Sequence, residues 1–224
     1  MKFTLPKLAA LALLLGCTSA YSQTLNWGSL IGSEIVNSDG QEIDSDGVGL
    51  QNAFLFQLGA FQDGFIPDDT NVSQWLDNWH VYDSASLFNN GDGTSQFLGS
   101  KDVHDYRNPG DSQLNDYPSV FEGLKGYIWV RNTAGTEYFL ASAGTWTFPT
   151  LQECCPSGGT VDWSVSDVIV PVWGSAGDNH GGGTYTGMGP YDIQTHSVPE
   201  VGSAFFALFA CGMTVLRRRR PVAA

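Results

Sequence analysis

Short apolar runs, divided by Gly, Asn, Asp and Pro, are the feature that most limits how the central part of this chain can fold. Residues 54–61 have a period of two with apolar groups on both faces, which is typical of a buried strand. The runs 127–130 and 138–141 are rich in β-forming residues, and they flank residues 132–136, whose length and composition suit a hairpin turn. Further strands are predicted at residues 146–148, 161–165, 168–172 and 191–195.

One helix is predicted, over residues 71–79, where Thr70 or Asn71 is placed to cap it and Trp75 and Trp79 fall on one face. Many short strands with one short helix and no strand–helix alternation predict an all-β fold. We expect an antiparallel, jelly-roll-like β-sandwich over residues 23–197. Within it, seven of the 17 residues in 174–190 are glycine, which predicts a long flexible loop.

The charge of this central segment excludes one class of partner. Residues 23–197 carry 22 acidic side chains and four basic ones, which gives a net charge of −18; the basic residues are Lys101, Arg107, Lys125 and Arg131. A surface this acidic repels phosphate backbones, so no nucleic-acid partner is expected. With 42% hydrophobic and 12% aromatic residues the chain is too apolar to be disordered, and its length suits a single core.

Residues 1–22 have the pattern of an export signal. Two lysines begin it, residues 8–15 are an unbroken run of Leu and Ala, and Ala20-Tyr21-Ser22 supplies the small-x-small pattern that signal peptidase accepts. We predict cleavage after Ser22, with Ala20 as the second choice. The alternatives are a lipobox ending at Cys17, which would then be lipidated, and a buried N-terminal helix.

The other end of the chain predicts a membrane span. Val198-Pro199-Glu200 precedes an apolar stretch at residues 201–216, and a basic cluster follows, consisting of Arg217, Arg218, Arg219 and Arg220. As a helix the stretch spans about 24 Å, against a hydrocarbon core of about 30 Å, which suffices with snorkelling arginines or a thinned bilayer. Because arginines stay on the cytoplasmic side, residues 23–197 are predicted to lie outside the inner membrane.

This order of short motif, apolar helix and arginine cluster resembles the PEP-CTERM sorting signal of Gram-negative envelope proteins. The resemblance covers residues 198–224 and departs from the family at Val201, which replaces its second proline. It implies that a membrane-embedded exosortase recognises the tag and cuts near it, so that the protein leaves the inner membrane for the envelope or the outside. The alternative is a plain C-terminal membrane anchor.

Four phrases of the central segment also resemble, as a set, a group of short exported proteins that carry the same tag. They are residues 126–129, 137–140, 146–149 and 163–166. The β domains of that group have no assigned biochemistry. The resemblance therefore implies a compact exported β domain and no particular activity.

Cysteine chemistry is limited to Cys154 and Cys155, the two cysteines of residues 23–197. An oxidising compartment permits a disulfide, and adjacent cysteines leave three options: a vicinal disulfide, a bond to another chain, or two free thiols. The neighbouring residues 156–159 indicate a surface loop. No zinc site is expected, because His180 and His196 lie too far along the chain to complete a motif with these thiols.

Two acidic turns resemble calcium-binding loops in composition. Residues 44–47 and 90–93 combine Asp or Asn with Gly, as calcium loops do, but neither has a Glu at the EF-hand offset. Asp and Gly are also ordinary turn residues, so turns are the favoured interpretation and calcium the alternative. Asp68 and Asp69 are expected to precede the helix, where carboxylates are stabilising.

The sequence contains no recognisable hydrolase or phosphate-loop motif. A glycosidase needs a carboxylate pair, which cannot be chosen among 22 acids. His80 and His104 are interpreted as surface or structural histidines. Six tryptophans are interpreted as core residues, with stacking on sugar rings as the alternative; they are Trp75, Trp79, Trp129, Trp146, Trp163 and Trp173.

These patterns together predict a non-enzymatic exported protein of the cell envelope or the extracellular matrix, with its C-terminal helix in the inner membrane before processing. The expected partners are signal peptidase, an exosortase-like enzyme, the inner membrane and extracellular polysaccharide, and no cofactor is expected. The alternatives are a carbohydrate-binding module that uses exposed tryptophans and a hydrolase that acts on exopolysaccharide.

Overall fold

The computed structural model describes residues 23–43, 54–90, 92, 94–103, 119–150 and 159–199. These residues are mostly β, with one four-residue α-helix, α1 (Trp75–Asn78). The strands, in chain order, are β1 (Gln23–Gly28), β2 (Ile35–Val36), β3 (Phe54–Phe61), β4 (Trp79–Ala85), β5 (Leu87–Asn89), β6 (Ser95–Val103), β7 (Tyr127–Asn132), β8 (Glu137–Ala141), β9 (Gly159–Ser164), β10 (Ser175–Gly177), β11 (Asn179–His180), β12 (Tyr191–Gln194) and β13 (His196–Ser197). The prediction of a β-rich fold with one short helix is confirmed.

The strands form three sheets, in the orders β5-β6-β1-β9, β13-β8-β7-β3-β4 and β11-β10-β12-β2. Neighbours are antiparallel except at β1–β9 and β12–β2, which pair in parallel. The prediction of antiparallel pairing is wrong for these two pairs. Each of them joins strands from distant parts of the chain, and a local hairpin pattern carries no information about such pairings.

The hairpin predicted around residues 132–136 is confirmed, since β7 and β8 pair antiparallel across it. Asn132 closes the turn, because its Oδ1 accepts hydrogen bonds from the backbone N–H groups of Thr136 (2.8 Å) and Glu137 (3.1 Å). Asn side chains stabilise turns in this way.

Two predicted strands are not strands in the structure. Residues 146–148 make a single bridge, from Thr147 to Lys125, and residues 168–172 follow a 3-10 turn at Val165–Asp167. Trp146 and Phe148 are nevertheless fully buried. A short apolar run indicates burial, and burial is equally compatible with an irregular segment packed on a sheet.

The predicted helix over residues 71–79 is shorter than expected. A 3-10 turn at Val72–Gln74 leads into α1, and Trp79 is already extended at the start of β4. Asn71 does not cap the helix: its Oδ1 accepts hydrogen bonds from the Trp75 indole (2.7 Å) and from the Asp68 backbone N–H (3.0 Å). The Asn71 side chain thus joins the backbone before the helix to the Trp75 indole, and this fixes how the chain enters the helix.

The Gly-rich segment 174–190 is not a single long loop. It contains β10 and β11, which pair with each other, and β10 also pairs with β12. Bridges from Trp173 to Gly182 and from Thr184 to Ser197 join the rest of the segment to its neighbours. The small residues permit these close backbone contacts, and a composition argument misses pairings of only two or three residues.

Two hydrophobic clusters lie on opposite faces of the five-stranded sheet. The first is shared with the sheet that contains β1 and takes side chains such as Phe56, Ile128 and Phe139. The second, called the aromatic core, has one aliphatic member; it consists of Phe61, Trp75, Tyr127, Trp129, Tyr138, Leu140 and Trp173. Alternate residues of β7 and β8 supply the two clusters, as the period of a strand requires.

None of the described helices is long and apolar enough to cross a bilayer. The span predicted at residues 201–216 lies outside the described residues.

Gly59 marks a point where β3 and β4 approach closely, at a bulge between Leu58 and Gly59. A Cβ atom at Gly59 would lie 2.1 Å from the backbone oxygen of His80, so we expect Gly59→Ala to lower the free energy of unfolding by about 1 to 3 kcal/mol. Gly144→Ala is the matched control, because a Cβ there meets nothing within 4 Å. Urea unfolding of both variants tests this, and equal stabilities would contradict it.

Candidate functional site

Ser175, His180 and His196, together called the Ser175 cluster, meet at one hydroxyl group. The Ser175 Oγ lies 2.7 Å from Nδ1 of His180 and 2.6 Å from Nε2 of His196. His196 is also held from its other side, where Nδ1 lies 2.7 Å from the backbone oxygen of Gly182. Residues from β10, β11 and β13 therefore converge on one serine.

The β10–β11 hairpin and the start of β13 position these side chains. Ser175 lies opposite His180 in the hairpin, and its other neighbour in the sheet is Gln194, two residues before His196. The chain passes close to His196 at Gly183, where φ is +90° and a Cβ would lie 2.5 Å from the His196 Cβ. Only glycine adopts this conformation without strain.

Hydrogen bonding fixes the tautomer of His196. A carbonyl oxygen only accepts, so Nδ1 donates to Gly182 and Nε2 of the neutral ring accepts from the Ser175 hydroxyl. Burial lowers the pKa of His196; the bond to Gly182 opposes this change, and the nearby His180 adds to it. The fold therefore favours a neutral, unprotonated Nε2 at this position.

The buried half of the cluster is closed to substrates. Ser175 and His196 are 1% and 0% exposed, whereas His180 and Tyr185 reach the surface. The Tyr185 ring stacks on His196 with centroids 4.4 Å apart, and on His180 at 5.3 Å. Because a nucleophile must contact its substrate, Ser175 is not poised for covalent catalysis. The arrangement instead suits proton exchange between solvent-facing His180 and buried His196 through the hydroxyl.

Metal binding has less support than proton exchange. A structural zinc site takes four ligands, and the Ser175 cluster offers two imidazoles. Within the residues that the structure describes, no group of three or more His, Cys, Asp or Glu side chains is placed to hold a metal ion.

The calcium alternative concerned two loops, of which residues 44–47 lie outside the described residues. In the other loop, Asp92 accepts hydrogen bonds from the backbone N–H and the hydroxyl of Thr94, and the pKa of Asp92 is lowered chiefly by the hydroxyl. Asp68 accepts the same pair of bonds from Thr70, and the pKa of Asp68 is likewise lowered. Asp92 thus stabilises a turn, which is the favoured interpretation, and Asp68 lies before the 3-10 turn at Val72–Gln74, as predicted.

A pocket between β3 and the segment that enters β7, called the β3–β7 pocket, has a volume of about 410 Å³. Its walls are the loop that follows β3 and the segment that enters β7. The lining residues are Phe61, Gln62, Asp63, Gly64, Phe65, Ile66, Gly123, Leu124, Lys125 and Tyr127. It combines aromatic rings with one cation, one carboxylate and one amide.

Most residues of the predicted sorting and processing sites lie outside the described residues. These are Ala20, Ser22, Cys154, Cys155, Glu200, Arg217, Arg218, Arg219 and Arg220. Of the sorting motif, Val198 is half-buried against the aromatic core and its N–H donates to the Thr136 oxygen at 2.7 Å, while Pro199 is exposed.

The tryptophans follow the favoured interpretation. Six of the seven are buried, and Trp79 is half-buried in contact with the aromatic core. The sugar-stacking alternative required exposed indoles, so it finds no support at these positions. His80 lies half-buried on β4, and His104 lies outside the described residues.

Sequence reasoning missed His180 and His196 as a pair. They are 16 residues apart, and the glycines between them gave no periodic signal. What joins them is the sheet register that places Ser175 opposite His180 and beside the strand that leads to His196.

Comparison of the chain with protein-family models, with curated proteins and with solved structures found no match.

Proposed function

We propose that this chain is a non-enzymatic exported protein of the cell envelope or extracellular matrix, sorted by its PEP-CTERM-like tag. Signal peptidase removes residues 1–22, and an exosortase-like enzyme acts on the tag at residues 198–224 while its helix lies in the inner membrane. Residues 23–197 are the part that works outside.

The observation that carries this proposal is where the strands lie relative to the predicted signals. β13 ends at Ser197, directly before Val198, and the described strands all lie within residues 23–197. β1 is an inner strand between β6 and β9, and β13 pairs with β8. Removal of the predicted tag at residues 198–224 therefore leaves every described strand intact.

We also propose a jelly-roll-like sandwich for the exported domain. Two sheets, β5-β6-β1-β9 and β13-β8-β7-β3-β4, contribute side chains to the same hydrophobic cluster. Two sheets that share a core through their inner faces are typical of this architecture.

Support for a non-enzymatic role comes from how polar side chains are used. Asp83 accepts a hydrogen bond from the buried Trp27 indole at 2.8 Å, and Asp162 accepts one from Asn26 at 2.8 Å. Ser175, which has the His196 imidazole beside it, is buried, and Tyr185 stacks on that imidazole. These groups stabilise the fold and its turns.

Intact mass of the mature protein, recovered separately from envelope and medium, tests the proposal. We expect a chain that begins at Gln23 and ends near Pro199-Glu200, without the arginine cluster. Replacing Arg217, Arg218, Arg219 and Arg220 with Gln is expected to abolish this product. If the wild-type protein in the inner-membrane fraction still has the mass of a chain with its arginines, the C-terminus is a plain anchor and the sorting proposal is wrong.

The same spectra report the state of Cys154 and Cys155. A vicinal disulfide predicts a chain that gains two alkyl groups only after reduction and that never runs as a covalent dimer. Alkylation without reductant would mean two free thiols.

A further inference from the structure

The β3–β7 pocket has the size and composition of a small-ligand site. Its volume of about 410 Å³ falls within the range of roughly 300–1,000 Å³ that such sites occupy. Phe61 and Tyr127 are buried in its wall, Phe65 is half-buried, and Ile66 is 75% exposed at the rim. Phe61 and Phe65 pack together with centroids 5.3 Å apart, so the apolar wall is continuous and fixed by the aromatic core.

Three polar side chains line this pocket, those of Lys125, Asp63 and Gln62. Lys125 is exposed, and its Nζ lies 5.5 Å from the centre of the Tyr127 ring. Asp63 and Gln62 are exposed on the loop that follows β3. Burial raises the pKa of Tyr127, so its phenol stays neutral. An ammonium, a carboxylate and an amide beside aromatic rings can donate to and accept from several hydroxyl groups.

We infer that the β3–β7 pocket binds one uncharged hexose unit of an extracellular polysaccharide. The apolar face of a sugar ring fits against the half-buried Phe65 and the exposed Ile66, and its hydroxyls reach Lys125, Asp63 and Gln62. Aromatic side chains with a polar rim suit such amphipathic rings. This inference rests on the proposed export of the domain, and it supplies the ligand.

Charge decides between a neutral and an acidic sugar. Asp63 shares the pocket with Lys125, so the local charges balance, and the surrounding segment carries a net charge of −18. The carboxylate of a uronate would be attracted by Lys125, but it would be repelled by Asp63 and by the negative net charge of the domain. A neutral hexose carries no charge, so this repulsion does not weaken its binding.

Calorimetric titration of the full-length chain, held in a detergent without a sugar headgroup, tests the inference. The probes are neutral glucan, mannan and galactan oligosaccharides, with uronate oligosaccharides in parallel. Indole fluorescence is a second readout, because Phe61 contacts Trp79 and Trp129 with centroids 5.1 and 6.2 Å apart. We expect saturable binding of at least one neutral series.

Matched variants locate the binding. Phe65→Ala and Lys125→Ala are each expected to weaken affinity about tenfold. Phe88→Ala removes an aromatic ring that is 52% exposed on β5, and Lys101→Ala removes an ammonium that lies 5.1 Å over Tyr82; both are expected to leave affinity unchanged. Because Lys125 is exposed, its variant tests the pocket even where Phe65→Ala impairs folding.

Three results would overturn the inference: no binding of any neutral series, binding of uronates alone, or binding that both pocket variants retain. Processing is measured independently by mass. A correctly processed protein that binds no sugar refutes the ligand alone, and an unprocessed protein that binds sugar refutes the sorting alone.

Discussion

Replacing Trp75 with alanine is expected to lower the free energy of unfolding by about 3 to 5 kcal/mol, as for other large buried aromatic residues. Trp75 is fully buried and packs edge-on against Trp129 and Trp173, each with centroids 5.9 Å apart. Its indole also donates the 2.7 Å hydrogen bond to Asn71 that fixes the entry to α1. The substitution opens a cavity in the aromatic core and releases the segment that covers it. Urea unfolding measures the loss.

Leu76→Ala is the matched control, because it introduces the same residue at the next position of the same helix. Leu76 is 50% exposed, so its truncation is expected to change stability by less than about 0.5 kcal/mol. Equal losses in both variants would contradict the burial of Trp75 as the cause, because alanine itself favours the helix at both positions. A small loss in Trp75→Ala would contradict the prediction directly.

The fold was predictable where neighbouring strands are joined by short turns. The alternation of residues 54–61 and the polar turn before Glu137 specify β3, β7 and β8, because these patterns act locally. The pairing of β1 with β9 involves residues more than a hundred positions apart, so no local pattern encodes it. The predicted helix is too long for a similar reason: Trp79 lies at the start of β4, and its side chain packs against the aromatic core from that strand.

The Ser175 cluster was not predictable from spacing. Ser175 and His180 become partners because a two-residue strand returns beside β10, and glycine-rich composition alone does not reveal that return. The β3–β7 pocket was equally hidden, since it is formed by Phe65 and Lys125, which lie 60 positions apart in the chain. In both cases the residue types are common ones, and only the tertiary structure brings them together.

Replacing His196 with alanine is expected to lower the free energy of unfolding by about 3 kcal/mol, because it opens a cavity and removes two hydrogen bonds. Those bonds join His196 to the Ser175 hydroxyl and to the Gly182 carbonyl. His180→Ala is the matched control, since it removes an imidazole from the same hydroxyl. His180 is exposed, so water replaces it and the expected change is below about 0.5 kcal/mol. Equal losses would contradict the buried role of His196.

The pH dependence of stability provides a second readout for His196. Burial lowers its pKa below the ordinary value of 6.5, so the unfolded chain binds more protons than the folded chain just below that pH. The stabilising contribution is complete above pH 6.5 and is lost as pH falls from there through the lower pKa of the folded state. His180 and Tyr185 face the ring, and hydrogen bonds from Thr70 and Thr94 lower the pKa values of Asp68 and Asp92 from 3.8, which is below the pH range of this experiment. Unfolding between pH 8 and 5.5 should therefore show a decline in the wild type that His196→Ala lacks, and parallel curves would refute the assignment.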